Sequence, residues 1–123
     1  MNITPMSYSQ LIPYILAAKH EGLLFDPDID YYGAFDGGEL IGFCGIKYHR
    51  HAAVLKCDYV FPQHRRGGIL KAMIDFRLME IKRRAIKIVT ANCTPLSLNV
   101  HLRVGATRIK SFGNGIVKVK YLV

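Results

Sequence analysis

The chain has 123 residues, half of them hydrophobic, which is enough for one domain with a single hydrophobic core. Its formal net charge of +8 suits a nucleic acid, a polyphosphate or an acidic partner, and does not choose among them. No apolar run reaches the roughly 18 residues that cross a membrane, and the N-terminus lacks the layout of a secretory signal. We therefore expect one domain, residues 1–123, in the cytoplasm and away from membranes.

Cysteine and charge patterns refine this expectation. Cys44, Cys57 and Cys93 are odd in number and stand in apolar surroundings, so they are predicted to be reduced core residues and neither disulfides nor a metal site. Residues 1–46 contain six of the nine acidic residues but only one basic residue, Lys19. The folded molecule should therefore be electrically asymmetric.

The first half of the chain predicts one helix among four strands. A short strand over residues 1–6 precedes a helix over 8–24, with Leu11 among the apolar residues on one side. Pro13 is expected to delay the start of this helix or to bend it, since proline is tolerated only in a first turn. An antiparallel meander then follows, with strands predicted over residues 31–35, 40–48 and 53–61.

The second half predicts two helices and three strands. Apolar residues recur at helical spacing over 69–84, and the run over 85–91 is typical of a buried strand. A short helix is predicted from Pro95 to Arg103, with Thr94 as its N-cap. Strands over 107–112 and 116–122 form a closing hairpin. Together these elements predict an α+β fold with a mixed, mostly antiparallel central sheet flanked by helices.

The junction over residues 60–73 carries the strongest chemical signal. A strand ends at Pro62, a loop containing Arg65, Arg66, Gly67 and Gly68 follows, and a helix begins. Free amides at a helix N-terminus, glycines that let a ligand approach, and two arginines indicate an anion cradle for a pyrophosphate. The alternative is an ordinary tight turn with solvated arginines. The spacing matches neither a P-loop nor a dinucleotide-binding glycine motif.

This run resembles the cofactor loop of the GNAT superfamily of acyl-CoA-dependent N-acyltransferases, whose pattern is Val-x-Pro-x-x-Arg-x-x-Gly-x-Gly/Ala. The matching positions are Val60, Pro62, Arg65 and Gly68. Leu70 stands where the family usually has Gly or Ala, which would leave the amide there less open to a phosphate.

A second run, residues 94–106, resembles the later GNAT signature Asn-x-x-Ser/Ala-x-x-Leu-Tyr-x-x-x-Gly-Phe. Pro95, Ser97, Val100 and Gly105 fit. Thr94 replaces the usual Asn, and His101 stands where the family usually has the Tyr that protonates the departing thiolate. The resemblance covers roughly residues 30–123 and identifies the chain as a short, single-domain member.

The resemblance implies N-acetyl transfer from acetyl-CoA to an amine by direct attack on the thioester. Pantetheine would pair with the main chain at Tyr59 and Val60, and the pyrophosphate would rest on the amides from Arg65 to Lys71. The residues expected to bind the cofactor are Tyr59, Val60, Arg65, Arg66, Gly67, Gly68, Ile69, Leu70, Lys71 and Thr94.

Two residues are expected to be catalytic. His101 is the expected acid, because its reference pKa of roughly 6.5 allows proton donation near neutrality. Its alternative role is that of a half-buried helix residue with a satisfied ring. Asp58 is the expected base, since it is the one acid in an apolar strand; its alternative role is an ion pair with Lys56 or a nearby arginine.

Two other classes of function remain open. A basic nucleic-acid-binding module would need a continuous basic face with aromatic residues, which the sequence does not indicate. A degenerate member of the fold that serves as an interaction protein is suggested by Leu70, Thr94 and His101. The acceptor amine is unidentified, and both a monomer and a homodimer are compatible with the sequence.

Overall fold

A computed structural model describes all 123 residues, and it contains seven strands and three α-helices. The strands are β1 (Asn2–Met6), β2 (Asp30–Asp36), β3 (Glu39–Tyr48), β4 (Ala52–Val60), β5 (Ile88–Cys93), β6 (Thr107–Ser111) and β7 (Val117–Leu122). The helices are α1 (Tyr8–Lys19), α2 (Ile69–Arg83) and α3 (Leu98–Val104), with one 3₁₀ turn at Pro62–His64. No helix has both the length and the apolar character required to cross a membrane.

All seven strands form one sheet in the order β1-β2-β3-β4-β5-β7-β6. Every neighbouring pair is antiparallel except β4 and β5, which α2 connects as a parallel crossover. This confirms the predicted α+β class and its mixed, mostly antiparallel sheet. The parallel pairing covers only Ala52–Leu55 against Ile88–Ala91. Beyond those residues β4 and β5 continue without pairing, so the sheet opens between them.

A bulge at Cys57 determines which side chains point toward the opening. Cys57 has φ +60, and the register between β3 and β4 shifts beside it. Leu55 packs in the cluster that includes Ile74 of α2, whereas Cys57 and Tyr59 pack with Leu11 of α1 on the opposite face. Asp58 and Val60 therefore project on the α2 side, where the sheet opens.

Helix α1 begins at the predicted residue but ends earlier than predicted. It begins at Tyr8 because Ser7 forms a capping box with Gln10, so the delayed start expected from Pro13 is wrong. Pro13 lies inside the helix with its ring exposed to solvent. The helix ends at Lys19, five residues before the predicted boundary at 24, because Gly22 adopts φ +86 in the turn that follows.

Helix α3 starts later than predicted. The carbonyl of Thr94 accepts hydrogen bonds from the amides of Ser97 (3.1 Å) and Leu98 (3.0 Å), which makes residues 94–97 a turn. Ser97 occupies the N-cap position, and the helix runs from Leu98 to Val104. The prediction of Thr94 as N-cap is therefore wrong, although Thr94 still defines the turn at the end of β5.

The two faces of the sheet are covered unequally. Helices α2 and α3 pack on one face over residues of β4, β5 and β7, and α1 packs on the other face over β2, β3 and the end of β4. On this second face no helix covers β5, β7 and β6, where alternate residues of β5 and β7 are exposed or half-buried and all of β6 is exposed. The predicted core cysteines Cys44, Cys57 and Cys93 are confirmed as buried free thiols.

Candidate active site

A cavity of about 930 Å³ lies where β4 and β5 separate, and we call it the larger cavity. Its walls are the end of β4, the loop and first turn of α2, and the segment that follows β5. Asp58 and Val60 contribute from β4, and Thr94 and Ser97 contribute from the turn before α3. The cavity therefore combines an open strand edge with a helix N-terminus, as a long ligand with an anionic end requires.

The main-chain amides of the Arg–Gly loop have no acceptors within the protein. From Arg66 to Lys71, six consecutive N–H groups donate to no carbonyl and to no side chain. The last three belong to the first turn of α2, which always lacks such partners, and the first three lie in the loop, where Gly68 adopts φ +81. A run of free donors at a positive helix end makes a site for an anion.

The two loop arginines have different roles. Arg65 donates from Nε to the Val60 carbonyl (2.8 Å) and from Nη2 to the Glu21 carboxylate (2.6 Å), and its guanidinium lies 5.4 Å from the Tyr59 ring centre. It therefore ties the segment after α1 to the end of β4. Arg66 is exposed, has φ +70 and forms no ion pair, so its guanidinium is free to meet a ligand.

Most of the residues predicted to bind the cofactor line the larger cavity. These are Val60, Arg65, Arg66, Gly68, Ile69, Leu70, Lys71 and Thr94. Gly67 lies in the loop, with its amide among the free donors, but does not line the cavity. The side chain of Tyr59 points to the opposite face and stacks on Phe43 at 5.3 Å, so only its main chain remains near the opening.

At the end of β4, one of the main-chain groups that face the opening already has a hydrogen-bond partner within the protein. Phe61 donates its amide to the Ile41 carbonyl of β3 (3.1 Å). Because the peptide group is trans, the Val60 carbonyl at its other end points away from β3, toward the opening. That carbonyl already accepts from Arg65. A ligand that paired with Val60 would have to share this acceptor with the arginine.

Asp58 occupies the base of the larger cavity and is held on both oxygens. Its Oδ1 lies 2.6 Å from Nη2 of the buried Arg77, and its Oδ2 lies 3.0 Å from Nε2 of His101. The side chain is 10% exposed. Burial acts to raise the pKa of Asp58, but the Arg77 charge and the His101 hydrogen bond outweigh it and lower the pKa. The carboxylate is therefore ionised, and its ion-pair partner is Arg77 and not Lys56.

His101 lies behind Asp58 and does not line the cavity. Its side chain is 1% exposed, and Nδ1 lies 2.6 Å from the Tyr121 hydroxyl. Burial raises the pKa of Tyr121, which keeps that hydroxyl protonated and able to donate. Because a carboxylate only accepts, Nε2 of His101 donates to Asp58, and Nδ1 pairs with the Tyr121 hydroxyl. The structure thus brings together the two predicted catalytic residues but presents only Asp58 to the cavity.

The sequence reading missed three residues that hold the site together, namely Glu21, Arg77 and Tyr121. A signal for Arg77 was present, because it continues the buried i, i+4 row Ile69, Met73, Arg77 and Ile81 of α2. A charge on a buried helical stripe needs a buried partner of opposite sign, and Asp58 is the one acid of β4. Glu21 and Tyr121 have no comparable signal in the sequence.

A smaller cavity of about 360 Å³ adjoins the larger one. It is bounded by Leu24, Cys57, Asn92 and Phe112, and Thr94 lines both cavities. Cys57 belongs to the face that α1 covers, so the smaller cavity lies on the opposite side of the sheet opening from Asp58. The opening is therefore accessible from both faces of the sheet.

Comparison with known proteins places this fold among acyltransferases. The family model described as the acetyltransferase (GNAT) family matches residues 3–105. The ribosomal-protein-S18-alanine N-acetyltransferase from Escherichia coli superposes with a TM-score of 0.79 at 11% identity, over 98% of this chain and 92% of that one. A GNAT family acetyltransferase from Elizabethkingia anophelis with acetyl-CoA bound gives 0.75 at 12% identity, over 99% and 97%.

A third structure is that of the PaiA N-acetyltransferase from Thermoplasma acidophilum in complex with coenzyme A, with a TM-score of 0.72 at 19% identity. The superposition covers 94% of this chain and 70% of that one. No curated protein matches the sequence. At these identities the structural likeness establishes the fold, and the family model establishes the relationship.

Proposed function

Because the chain belongs to the acetyltransferase (GNAT) family, we propose that it transfers an acetyl group from acetyl-CoA to an amine of an acceptor. The whole chain, residues 1–123, acts as one domain, since a single sheet includes all seven strands. The observation that carries this proposal is the run of six free amides from Arg66 to Lys71 beside the larger cavity. Such a run suits the diphosphate of coenzyme A.

The cofactor would use the larger cavity along its length. Its diphosphate rests on the loop amides, with Arg66 beside it as a free positive charge. Its pantetheine arm lies along β4 near Val60, where the sheet is open, and the thioester reaches the region of Asp58 and Thr94. Arg65 supports this arrangement by fixing the loop to Glu21 and to the end of β4.

Acetyl transfer needs an amine aligned with the thioester carbonyl and a group that moves a proton from the nitrogen to the sulfur. An amine that has lost its ammonium proton attacks the thioester carbonyl, a C–N bond forms, and the C–S bond breaks to release a thiolate. The nitrogen gives up its extra proton to Asp58, and Asp58 passes that proton to the thiolate sulfur. The lowered pKa of Asp58 weakens the carboxylate as a base, so the first transfer is the harder one, and it makes protonated Asp58 a ready proton donor to the thiolate in the second. Asp58 is unchanged at the end.

His101 then serves to orient Asp58. It is buried behind the carboxylate and donates to Oδ2 at 3.0 Å, and it is itself held by Tyr121. Direct proton donation from His101 to the sulfur, as the resemblance implies, would require the imidazole to leave this buried position. An orienting role keeps every observed hydrogen bond.

Titration calorimetry with coenzyme A tests the cofactor site. We expect wild-type protein to bind, and Arg66→Glu to bind at least about tenfold more weakly, because a negative charge then faces the diphosphate. Arg50→Glu is the matched control: Arg50 is exposed, forms no ion pair and lies in the β3–β4 turn outside the cavity. Absence of binding in wild type, or equal affinity in Arg66→Glu, would refute the cradle.

Release of free thiol from acetyl-CoA, measured with a panel of amines, tests the transfer itself. Turnover with at least one amine supports the enzyme. Tight coenzyme A binding without turnover on any amine would favour the second candidate, a family member that serves only as an interaction protein, for which Thr94, Leu70 and His101 provide the motivation.

A further inference from the structure

The uncovered face of β5, β7 and β6 has only positive side chains among its charged groups. Lys118 and Lys120 of β7 share this face with Asn92 and Thr90 of β5, to which they are registered, and Lys110 of β6 lies opposite Lys118. Residues 81–123 contain nine Lys or Arg and no Asp or Glu. None of these three lysines forms an ion pair, whereas Lys47, Lys71 and Arg83 elsewhere each have an acidic partner.

Two of these lysines repel one another. Lys110 and Lys118 are directly opposite in an antiparallel pair, so their side chains rise from the same face about 5 Å apart at Cβ. Like charges in such a pair destabilise a sheet. No charge within the protein compensates for this pair, but an anionic partner laid across the two strands would do so.

The lysine row leads directly to the smaller cavity. Asn92, Lys118 and Lys110 are in register across three strands, and Asn92 lines that cavity. The Lys110 ammonium lies 5.2 Å from the ring centre of Phe112, which also lines it. Neighbouring strands are about 4.8 Å apart, so the two lysines lie roughly 5 and 10 Å beyond Asn92. An extended peptide covers that distance in about three residues.

We propose that this face, with the smaller cavity at its end, binds an acidic polypeptide whose acceptor amine enters the sheet opening. Acidic side chains within about three residues of that amine would pair with Lys118 and Lys110. The inference rests on the proposed function for the amine, but the charge complementarity holds without it. A polypeptide is favoured over a nucleic acid because Phe112 is the one aromatic residue lining this cavity and no stacking row continues from it.

The edge strand supports an extended peptide as the ligand. Strand β6 pairs with β7 on one side only and all five of its residues are exposed, so its outer edge has free main-chain donors and acceptors. A peptide that crosses β5, β7 and β6 from the cavity reaches this edge after the lysines, and its main chain can hydrogen-bond to the free groups there. Leu24 and Cys57 provide the smaller cavity with apolar walls for the aliphatic part of the residue that bears the amine.

Fluorescence anisotropy with two labelled peptides tests the docking surface without acetyl-CoA. The acidic probe is Ala-Glu-Glu-Lys-Glu-Glu-Gly, and the neutral probe replaces each Glu with Gln; both present an N-terminal amine and a lysine. We expect the acidic probe to bind at least about tenfold more tightly at 0.05 M salt, and this preference to shrink at about 0.5 M. Lys110→Gln/Lys118→Gln should abolish the preference, and Arg50→Glu should leave it unchanged.

A single substitution separates docking from folding. Lys110→Glu places a carboxylate opposite Lys118, which should raise the unfolding temperature of the free protein. The same substitution should lower the affinity of the protein for the acidic probe. A purely structural role for these lysines would not change the two quantities in opposite directions. Equal affinity for the two probes would overturn the proposal. So would a single-stranded oligothymidine that binds more tightly than the acidic probe and whose binding is lost in Lys110→Glu.

The acetyl-transfer assay with the same probes distinguishes the two proposals. Preferred binding of the acidic probe, with no thiol release from that probe or from any amine of the panel, would sustain the docking surface and contradict the enzyme. Thiol release at equal rates with both probes, together with equal affinity, would sustain the enzyme and contradict the docking surface.

Discussion

At the level of single residues, the site depends on the buried ion pair between Asp58 and Arg77. The guanidinium is fully buried, donates to the carbonyls of Met73 and Gly45, and lies 2.6 Å from the carboxylate. These hydrogen bonds and the ion pair leave Arg77 little freedom to move. The carboxylate that the proposed mechanism uses is therefore held by a side chain that does not line the larger cavity.

Removing Arg77 tests this dependence. Arg77→Met should lower the free energy of unfolding at neutral pH by about 3–5 kcal/mol, because it leaves Asp58 as an unpaired buried charge. The double variant Asp58→Asn/Arg77→Met should recover part of this loss, since no charge is then buried. Urea denaturation measures both. A double variant less stable than Arg77→Met would contradict this account of the pair.

Arg77→Met should also reverse the direction in which the free energy of unfolding changes with pH. In wild type the folded-state pKa of Asp58 is lowered, so its contribution is present above the unfolded pKa of about 3.9 and is lost as pH falls through the folded value. Without Arg77, burial is the largest remaining influence and raises the pKa. Arg77→Met should therefore gain stability as pH falls below neutrality, where wild type does not.

Turnover of a His101 variant tests the orienting role. His101→Phe keeps an aromatic ring of similar size but loses both hydrogen bonds, so we expect kcat to fall about ten- to a hundredfold while coenzyme A affinity stays the same. The double variant with Asp58→Asn should be no slower than Asp58→Asn alone, because the two residues act as a unit. Wild-type kcat in His101→Phe, or effects that multiply, would show that His101 does not act through Asp58.

At the level of elements, the junction between β4 and α2 contains the free main-chain amides that we propose bind the diphosphate. Pro62 ends the ladder, the 3₁₀ turn redirects the chain, and Gly68 adopts a left-handed conformation immediately before Ile69 begins α2. This geometry leaves consecutive amides free and aims them together. The order of strand, loop and helix was predictable because each residue type acts locally. The ion pair between Arg65 and Glu21 was not predictable, because Glu21 is 44 residues away along the chain.

Substitution of Gly68 tests the conformation of the junction. Gly68→Ala should lower the free energy of unfolding by about 1–2 kcal/mol and weaken coenzyme A binding, because a Cβ disfavours φ +81 even though no atom lies within 4 Å of it. Gly113→Ala is the control: its Cβ also meets nothing, and its φ is not positive. Equal effects of the two substitutions would show that the backbone conformation at Gly68 is unimportant.

Across the whole molecule, the two halves of the sheet differ in cover and in charge. The half made of β1 to β3 lies in the acidic part of the chain and is covered by α1, whereas β5, β7 and β6 expose a basic face. The opening lies between the halves, at the only parallel pair. The predicted electrical asymmetry therefore coincides with the structural division, with the acidic part of the chain on one side of the opening and the basic face on the other.

Local patterns in the sequence were sufficient for the order of the elements, the α+β class and the strand–loop–helix junction before α2, because turn residues and apolar periodicity act over a few neighbouring residues. Tertiary structure alone decided the positions of Asp58 and His101, since β4, α2, α3 and β7 had to meet before Arg77 and Tyr121 could reach them. A spacing along the chain indicates which residue could transfer a proton. Only packing determines that Asp58, and not His101, reaches the cavity.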